Sequence, residues 1–328
     1  MDAGQATPAL HVTNGDEAVA RLVAAGVAGR IVPWRDVLHD GPVPAGLDAD
    51  ALRAERARYI SAAGWAPYEA VFADFALRDA AIDDASAADE TTLWFEHDLY
   101  DQLQLLQLLD RFADRPARYL TLAQSDDRYL GNLEPDAVRA LWARRRPVTP
   151  AQLELAREAW AAFRSDDPRA LERLLARDTS ALPHLAPTIR RLLEELLSVR
   201  DGLSRTERQM LDAIAAGAPT LADVFRQTAA REERIWLGDS SLAVYLERLS
   251  AQPAPLVRDA SGGTLSPSGA RDAAFWQRRA LLTPLGERVL AGRADRVADA
   301  GVDRWIGGTH LAGRRVRYRW DGTRVVAT

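Results

Sequence analysis

The N-terminal part of the chain alternates short apolar runs with stretches of helical periodicity. A strand–helix–strand order of this kind implies parallel pairing, and four apolar runs predict buried strands. These runs are ALHVT (9–13), GRIVPW (29–34), TTLWFEH (91–97) and RYLTLAQ (118–124). We therefore predict an α/β fold whose N-terminal domain, residues 1–147, is a Rossmann-like, doubly wound parallel sheet.

Helical periodicity continues beyond this sheet and then changes character. Residues 148–200 predict a helical linker region, with prolines near the helix starts. Residues 201–328 predict three short helices followed by a glycine-rich hairpin, an order typical of a winged helix. The chain ends in a clear β-hairpin with Asp321 and Gly322 at its turn. The third region is thus predicted to be a winged-helix-like domain with a C-terminal hairpin.

Composition excludes several kinds of chemistry. The chain has no cysteine, which removes disulfides, thiol nucleophiles and thiolate metal ligands. It also has no lysine, because all 42 basic residues are arginine. Schiff-base and pyridoxal phosphate chemistry are therefore excluded.

Without a G-x-G-x-x-G fingerprint, a nicotinamide cofactor is not expected. No apolar run approaches the ~18 residues of a membrane span, and no secretory signal is recognised, so the predicted location is the cytoplasm.

The charge balance does not favour nucleic acid as a partner. The net charge is −5, although residues 201–328 carry more arginines than acids, and a protein that coats nucleic acid would be more basic. Arg315, Arg317 and Arg319 share one face of the C-terminal strand. They form either a phosphate-contacting strip or a solvated face paired with acids of the N-terminal domain, and we favour the second. The third helix of the last region opens with Gly238 and Asp239, which is unfavourable against DNA.

Three polar loops leave the predicted carboxyl edge of the sheet, where open parallel sheets bind ligands. We predict that these loops form one site, with Asp16, Arg35, His39 and His97 lining a common cleft. The candidates are His11, Asn14, Gly15 and Asp16 from the first strand and its loop, Trp34, Arg35, Asp36, His39 and Asp40 from the second, and Glu96, His97, Asp98 and Asp101 from the third.

Two chemistries suit this cluster. His97 between carboxylates is suited to acid–base catalysis, with Asp98 or Asp101 orienting it, His39 as a further catalytic group and Arg35 as the anchor for an anionic substrate. His11, His39 and His97, with Asp98 or Asp101, could instead ligate a divalent metal. No tight ligand spacing occurs, so no metal ligands are assigned and the cofactor is left open.

Structural interpretations stand beside these functional ones. An Asn-Gly-Asp sequence is also a common turn with a helix cap, and Asp98 would cap its helix. His11 lies within an apolar strand and could be a hydrogen-bonded core histidine. For His97 we favour the functional interpretation, because a hydrophobic core does not accommodate three polar residues in a row such as Glu96, His97 and Asp98. The turn RWIGGTH (304–310) could close over the site.

Several motifs taken together resemble a known bacterial family. HVTNGD, PWRDVLHDGPVP and LWFEHDLYDQLQLLQLL are similar to the family called domain of unknown function 1835. LSRTERQMLDAI, LTPLGERVL and DRWIGGTHL are similar to the C-terminal region that accompanies it. The resemblance implies that the thirteen candidate residues matter, but it carries no activity and assigns no roles.

The leading hypothesis from the sequence is an enzyme that acts on a small anionic substrate by hydrolysis or group transfer. His97, Asp98, Asp101 and His39 are its predicted catalytic residues, and the other candidates are predicted to bind substrate. Two alternatives stay open: a ligand-sensing or nucleic-acid-binding regulator that uses the winged helix, and a non-catalytic interaction protein. Exposure of the third helix would favour the regulator, whereas a shared cavity at the loops would favour the enzyme.

Overall fold

A computed structural model describes residues 9–263 and 265–328 of the 328-residue chain. Its N-terminal part alternates strands and helices. In chain order these are β1 (Leu10–Thr13), α1 (Asp16–Ala24), β2 (Arg30–Pro33), α2 (Ala49–Ala62), α3 (Tyr68–Asp83), β3 (Thr91–Phe95), α4 (Leu99–Asp114), β4 (Leu120–Gln124), α5 (Pro135–Ala143) and β5 (Arg146–Pro147). Short 3₁₀ helices lie at Ala85–Ala87 and Leu130–Asn132.

The five strands form one sheet in the order β2-β1-β3-β4-β5. The first four are parallel, and Val12 of β1 lies opposite Val32 of β2 and Leu93 of β3. β5 pairs with β4 in the antiparallel direction. The predicted α/β class and parallel sheet are thus confirmed. β5 was not predicted from the pattern, and its proline is tolerated because the strand lies at the sheet edge.

Apolar side chains cover both faces of the sheet. Because successive side chains of a strand point to opposite faces, Leu93 and Phe95 join the main hydrophobic core while Trp94 joins a second cluster with Leu22 of α1 and Val138 of α5. All three β3 residues are fully buried. Helices therefore pack on both sides of the sheet.

Helices and short hairpins make up the rest of the described chain. Three antiparallel strand pairs occur there, 257–259 with 280–282, 302–306 with 309–313 and 318–320 with 325–327, and the last pair is the predicted C-terminal hairpin. The elements are α6 (Pro150–Phe163), α7 (Arg169–Leu175), α8 (Leu185–Leu193), α9 (Arg205–Ala215), α10 (Leu221–Ala229), α11 (Asp239–Ser250), β6 (Val257–Asp259), a 3₁₀ helix (Pro267–Arg271), α12 (Ala273–Trp276), β7 (Ala280–Leu282), α13 (Pro284–Leu290), α14 (Arg296–Ala300), β8 (Val302–Ile306), β9 (Thr309–Gly313), β10 (Tyr318–Trp320) and β11 (Val325–Ala327).

The main hydrophobic core extends through all three predicted regions. It includes Leu93 of the sheet, Leu192 of α8, Tyr245 of α11 and Val325 of β11. The helical part therefore packs firmly against the sheet domain. Among the described residues, no helix combines the length and the apolar character that crossing a membrane requires.

Candidate functional site

A cleft opens at the carboxyl ends of β1 and β3, where the strand order of the sheet reverses. β2 lies on one side of β1 and β3 on the other, and open α/β sheets bind ligands at such a switch point. The cleft has a volume of about 410 Å³. Its lining consists of Asn14, Glu96, Asp98, Tyr100, Asp101, Tyr129, Asn132, Ile235, Trp236, Leu237 and Gly238.

Three buried carboxylates come together in this cleft. Glu96 follows β3, Asp98 caps α4 by accepting the backbone N–H of Asp101 at 3.2 Å, and Asp101 lies in the first turn of α4. One oxygen from each carboxylate lies within 4.8 Å of the others. The strand end and the helix start thus place three acidic groups within the reach of one bound ion.

Backbone and amide donors fix the positions of these carboxylates. The Asn14 side-chain amide donates to Glu96 Oε1 at 3.1 Å and to Asp101 Oδ2 at 2.9 Å. The backbone N–H of Glu96 donates to Asp101 Oδ1 at 2.7 Å, and that of Leu130 to Glu96 Oε1 at 2.5 Å. Asn14 therefore ties the end of β1 to the acids that follow β3.

Buried carboxylates elsewhere in the described chain all have an arginine partner. The three acids of the cleft have none within the 4.0 Å salt-bridge distance, although the chain holds 42 arginines. This contrast marks the cleft as a place where negative charge is buried without compensation from the protein. The paired acids are Asp36 with Arg56, Asp40 with Arg248, Asp79 with Arg53, Glu195 with Arg304, Asp201 with Arg208, Glu207 with Arg296 and Asp259 with Arg278.

The uncompensated charge changes the protonation of the three acids. Burial, together with the nearby charge of Asp98, raises the pKa of Glu96 to about 8. Burial also raises the pKa of Asp98 to about 6 and that of Asp101 well above its usual range. Like charges at this distance cannot all ionise without a counter-charge. The cluster therefore holds protons or a cation, and carboxylate and amide oxygens suit Mg²⁺, Mn²⁺ or Ca²⁺.

The remaining walls of the cleft come from two connections. Tyr129 and Asn132 follow β4, and residues 235–238 join α10 to α11. The backbone N–H of Ile235 donates to the Tyr129 hydroxyl at 2.7 Å. Since these residues belong to the sheet domain and the helical part respectively, both parts of the chain build the site.

Four of the predicted site residues line the cleft: Asn14, Glu96, Asp98 and Asp101. Gly15 is next to them as the N-cap of α1. The other predicted residues lie elsewhere.

Asp16 and Arg35 pair with each other rather than lining the cleft. Arg35 Nη2 lies 2.6 Å from Asp16, and Arg35 Nη1 lies 2.6 Å from Asp74. These ion pairs hold the Arg35 guanidinium between α1 and α3. The predicted substrate anchor is therefore committed to two carboxylates of the protein itself.

The predicted pairing of His97 with Asp98 or Asp101 is not found among the described hydrogen bonds. Side chains alternate along an extended backbone, so Glu96 and Asp98 reach the cleft while His97 does not line it. The His97 ring lies 5.3 Å from the Tyr129 ring, and its Nδ1 is buried without a partner. Burial lowers the pKa of His97, with Arg234 and His184 adding to the shift.

The other two candidate histidines are interior residues. His11 lies 3.1 Å from the Ala28 carbonyl and accepts the Trp94 indole N–H at 3.2 Å, which is the core-histidine interpretation. His39 Nε2 lies 3.3 Å from the Ser241 hydroxyl, and its ring packs edge-on against Trp236 at 4.8 Å. Burial lowers the pKa of His39 to about 4, so it is neutral at pH 7.

Trp34, Asp36 and Asp40 support the fold. The Trp34 indole N–H donates to Gln107 at 2.9 Å. The Asp36 carboxylate is held by the buried Arg56, and that of Asp40 by the partly buried Arg248. These polar residues of the loop after β2 therefore make contacts inside the protein and do not line the cleft.

Two further sequence predictions fail for packing reasons. The turn after β8 lies against α6, where Gly308 N–H donates to the Phe163 carbonyl at 2.9 Å, so it does not close over the cleft. Arg319 is buried and pairs with Asp295 at 2.5 Å. It therefore does not share an exposed strip with Arg315 and Arg317, which are both exposed.

Sequence reasoning missed Tyr129, Asn132 and residues 235–238. A compositional signal could have found one of them: the chain contains only two asparagines, Asn14 and Asn132, and both line this cleft. In a chain so poor in asparagine, the residues that remain are candidates for a role that other side chains cannot fill.

No protein-family model matches the chain, and no curated protein matches it either. The site is therefore interpreted from its own geometry.

Proposed function

We propose that the protein is an enzyme that uses a divalent cation, held by Glu96, Asp98 and Asp101, to act on a small anionic substrate by hydrolysis or group transfer. The observation that carries this proposal is the trio of buried carboxylates that face a cleft without any arginine partner. The cleft also lies at the switch point of a parallel sheet, where α/β enzymes bind their ligands.

A cation resolves the charge problem of the cleft. Two or three carboxylate oxygens at close range provide the hard ligands that Mg²⁺ and Mn²⁺ prefer, and such ions keep open positions for water and for oxygens of a substrate. A bound ion would polarise a substrate oxygen and lower the pKa of a bound water. The fixed donors of Asn14 and Leu130 hold Glu96 ready for this purpose.

The absence of arginine from the cleft lining supports a cation-bridged anion. Arg35, the nearest candidate anchor from the sequence, is paired with Asp16 and Asp74. An anionic group approaching three carboxylates would be repelled unless a cation lay between them. The ion therefore serves both as the substrate anchor and as the catalytic Lewis acid.

We also propose that the chain belongs to the domain of unknown function 1835 family. Two of the motifs that carry this resemblance supply the cleft: HVTNGD contributes Asn14, and LWFEHDLYDQ contributes the three carboxylates. The functional residues of the proposal thus lie within the motifs that suggested the family.

A nucleic-acid-binding regulator is the weaker alternative. The order of α9, α10, α11 and the β6–β7 pair supports a winged-helix shape for this region. However, residues 241–246 of α11 are all buried, and Ser241 and Arg248 contact His39 and Asp40 of the sheet domain. A recognition helix must be free to enter a groove, so we expect at most weak, salt-sensitive binding of DNA.

Direct measurement of Mn²⁺ binding tests the proposal. Bound and free Mn²⁺ are separated by electron paramagnetic resonance for the wild type, Glu96→Gln and Asp98→Asn. Asparagine is as good an N-cap as aspartate, so Asp98→Asn keeps α4 while it removes a ligand charge. Each variant should bind Mn²⁺ more weakly by roughly tenfold or more.

Asp16→Asn is the matched control, since Asp16 is an acid at the start of the neighbouring helix α1 and lies outside the cleft lining. Its Mn²⁺ affinity should equal that of the wild type. Hydrolysis of p-nitrophenyl phosphate is then assayed with Mg²⁺, Mn²⁺ or EDTA. Wild-type protein that binds no Mn²⁺, or whose activity is indifferent to EDTA, would contradict the proposal.

A further inference from the structure

Part of the cleft lining is apolar. Ile235, Trp236 and Leu237 line it beside Tyr129. Ile235 is 44% exposed, which makes it one of five large hydrophobic side chains exposed among the described residues. Tyr129 is partly exposed, and its hydroxyl accepts the backbone N–H of Ile235, so the two side chains stand next to each other. A ligand in the cleft would therefore have apolar surface available as well as the carboxylates.

The cleft is also larger than a cation and one phosphate require. Its volume of about 410 Å³ falls within the ~300–1,000 Å³ range of clefts that hold whole small molecules. Such clefts combine apolar walls with a few fixed polar groups. The ligand should thus carry a second, flat and apolar part beyond its anionic group.

Asn132 supplies a polar group suited to that second part. It lines the cleft at the end of the Leu130–Asn132 3₁₀ helix, and it is exposed, so its side-chain amide is accessible to a ligand. An amide presents a donor and an acceptor side by side, which matches the adjacent acceptor and donor on the edge of an adenine ring. It is the second of the two asparagines that the chain contains.

We propose that the substrate is a nucleotide, with its phosphates at the cation and its base against Ile235 and Tyr129, where Asn132 reads the base edge. This inference rests on the proposed function, because the phosphates need the ion. It assigns substrate selection to the sheet–helix boundary of the cleft and the reaction to the carboxylates.

Isothermal titration with two probes tests the inference in the presence of Mg²⁺. The probes are ADP and inorganic pyrophosphate, which share the phosphates and differ in the nucleoside. Wild-type protein should bind ADP at least roughly tenfold more tightly than pyrophosphate. Ile235→Ala and Asn132→Ala should each weaken ADP binding by roughly five- to tenfold and leave pyrophosphate binding unchanged.

Leu77→Ala is the matched control, because Leu77 is a hydrophobic residue of similar size that is 66% exposed on α3. It should change neither affinity. Equal wild-type affinities for ADP and pyrophosphate, together with intact Mn²⁺ binding, would overturn the nucleotide inference alone. Failure of the wild type to bind Mn²⁺ would overturn the proposed function and this inference with it.

Discussion

At the residue scale, the Glu96 carboxylate is held by hydrogen bonds but has no arginine within salt-bridge distance. Its carboxylate accepts from Asn14 and Leu130, and burial raises its pKa from 4.5 to about 8. A raised pKa contributes stability that is complete below pH 4.5 and is lost as the pH rises through about 8. The metal-free protein is therefore more stable when Glu96 is protonated.

Glu96→Gln should consequently stabilise the metal-free protein at alkaline pH. Glutamine keeps the acceptor oxygen and carries no charge, so the free energy of unfolding should rise by about 2–4 kcal/mol at pH 8.5. At pH 5, where Glu96 is already protonated, the difference should nearly vanish. Thermal unfolding in EDTA at both pH values measures this, and a variant less stable than the wild type at pH 8.5 would contradict it.

The site residues were only partly predictable from the sequence. The edge of the sheet could be inferred, because strand ends and polar loops are visible in the pattern, and this located Asn14, Glu96, Asp98 and Asp101. The direction of each side chain could not, since it depends on where β3 ends. A strand that stops at Phe95 sends His97 away from the cleft. Ile235 was out of reach because a contact between distant segments leaves no local signal.

At the element scale, the β8–β9 hairpin is fixed by close backbone approach to α6. Gly307 has a φ of 57° and its carbonyl accepts the N–H of Val43 at 2.8 Å. A Cβ added at Gly308 would overlap the carbonyl oxygen of Arg164. The two glycines thus serve packing, although from the sequence they suggested a mobile cover for the site.

Gly308→Ala should therefore be strongly destabilising. Relieving the overlap requires the hairpin to move off α6, at a cost of about 1–3 kcal/mol or more. Gly15→Ala is the comparison, because Gly15 has extended backbone and no atom near an added Cβ, so its cost should stay below about 1 kcal/mol. Urea unfolding of both variants measures the difference, and equal losses would argue against the packing role.

The sequence pattern predicts helices and strands well when one face is buried and the other is exposed. It fails for elements that are short or buried on all sides. α4 shows the limit, since its pattern predicts an amphipathic helix, yet Gln102, Gln104 and Gln107 are buried as well. These glutamines reach backbone or indole groups of neighbouring segments, such as the Glu96 and Asp36 carbonyls. Polar residues with such partners look solvent-facing in a sequence.

At the scale of the whole molecule, Glu195 joins four elements of the helical part. Its oxygens contact Arg191 of α8, Thr206 of α9, Tyr245 of α11 and Arg304 of β8, at 2.5–2.8 Å. Burial alone would raise its pKa, but the two arginines hold that pKa well below the usual range. The carboxylate is therefore charged throughout the ordinary pH range.

Glu195→Gln should lower the free energy of unfolding by about 3–5 kcal/mol, because it leaves the buried Arg304 without its carboxylate. Its neighbour Glu194 provides the control. Glu194 is 30% exposed and pairs with Arg205, so Glu194→Gln should cost at most about 1 kcal/mol. Calorimetric melting of both variants at pH 7 tests this, and similar melting temperatures would show that the network is dispensable.

The global architecture was predictable to the level of its sheet. Alternating apolar runs predict parallel pairing, but they cannot give the order β2-β1-β3-β4, which decides where the cleft lies. Nor could they show that α11 is buried, because a winged-helix pattern looks the same whether its third helix faces solvent or another part of the chain. Burial of α11 depends on contacts with His39 and Asp40, some two hundred residues away.

The cleft takes one wall from the sheet domain and the other from the α10–α11 connection, and this constrains how such a protein can change over generations. A shortened descendant that kept only residues 9–147 would retain the acids yet present them to open water. Replacing the C-terminal part would alter the wall that residues 235–238 form while leaving the three carboxylates untouched. If the cleft binds substrate as proposed, descendants that bind a different ligand should differ first around residues 235–238. The acids after β3 should then be the last to vary.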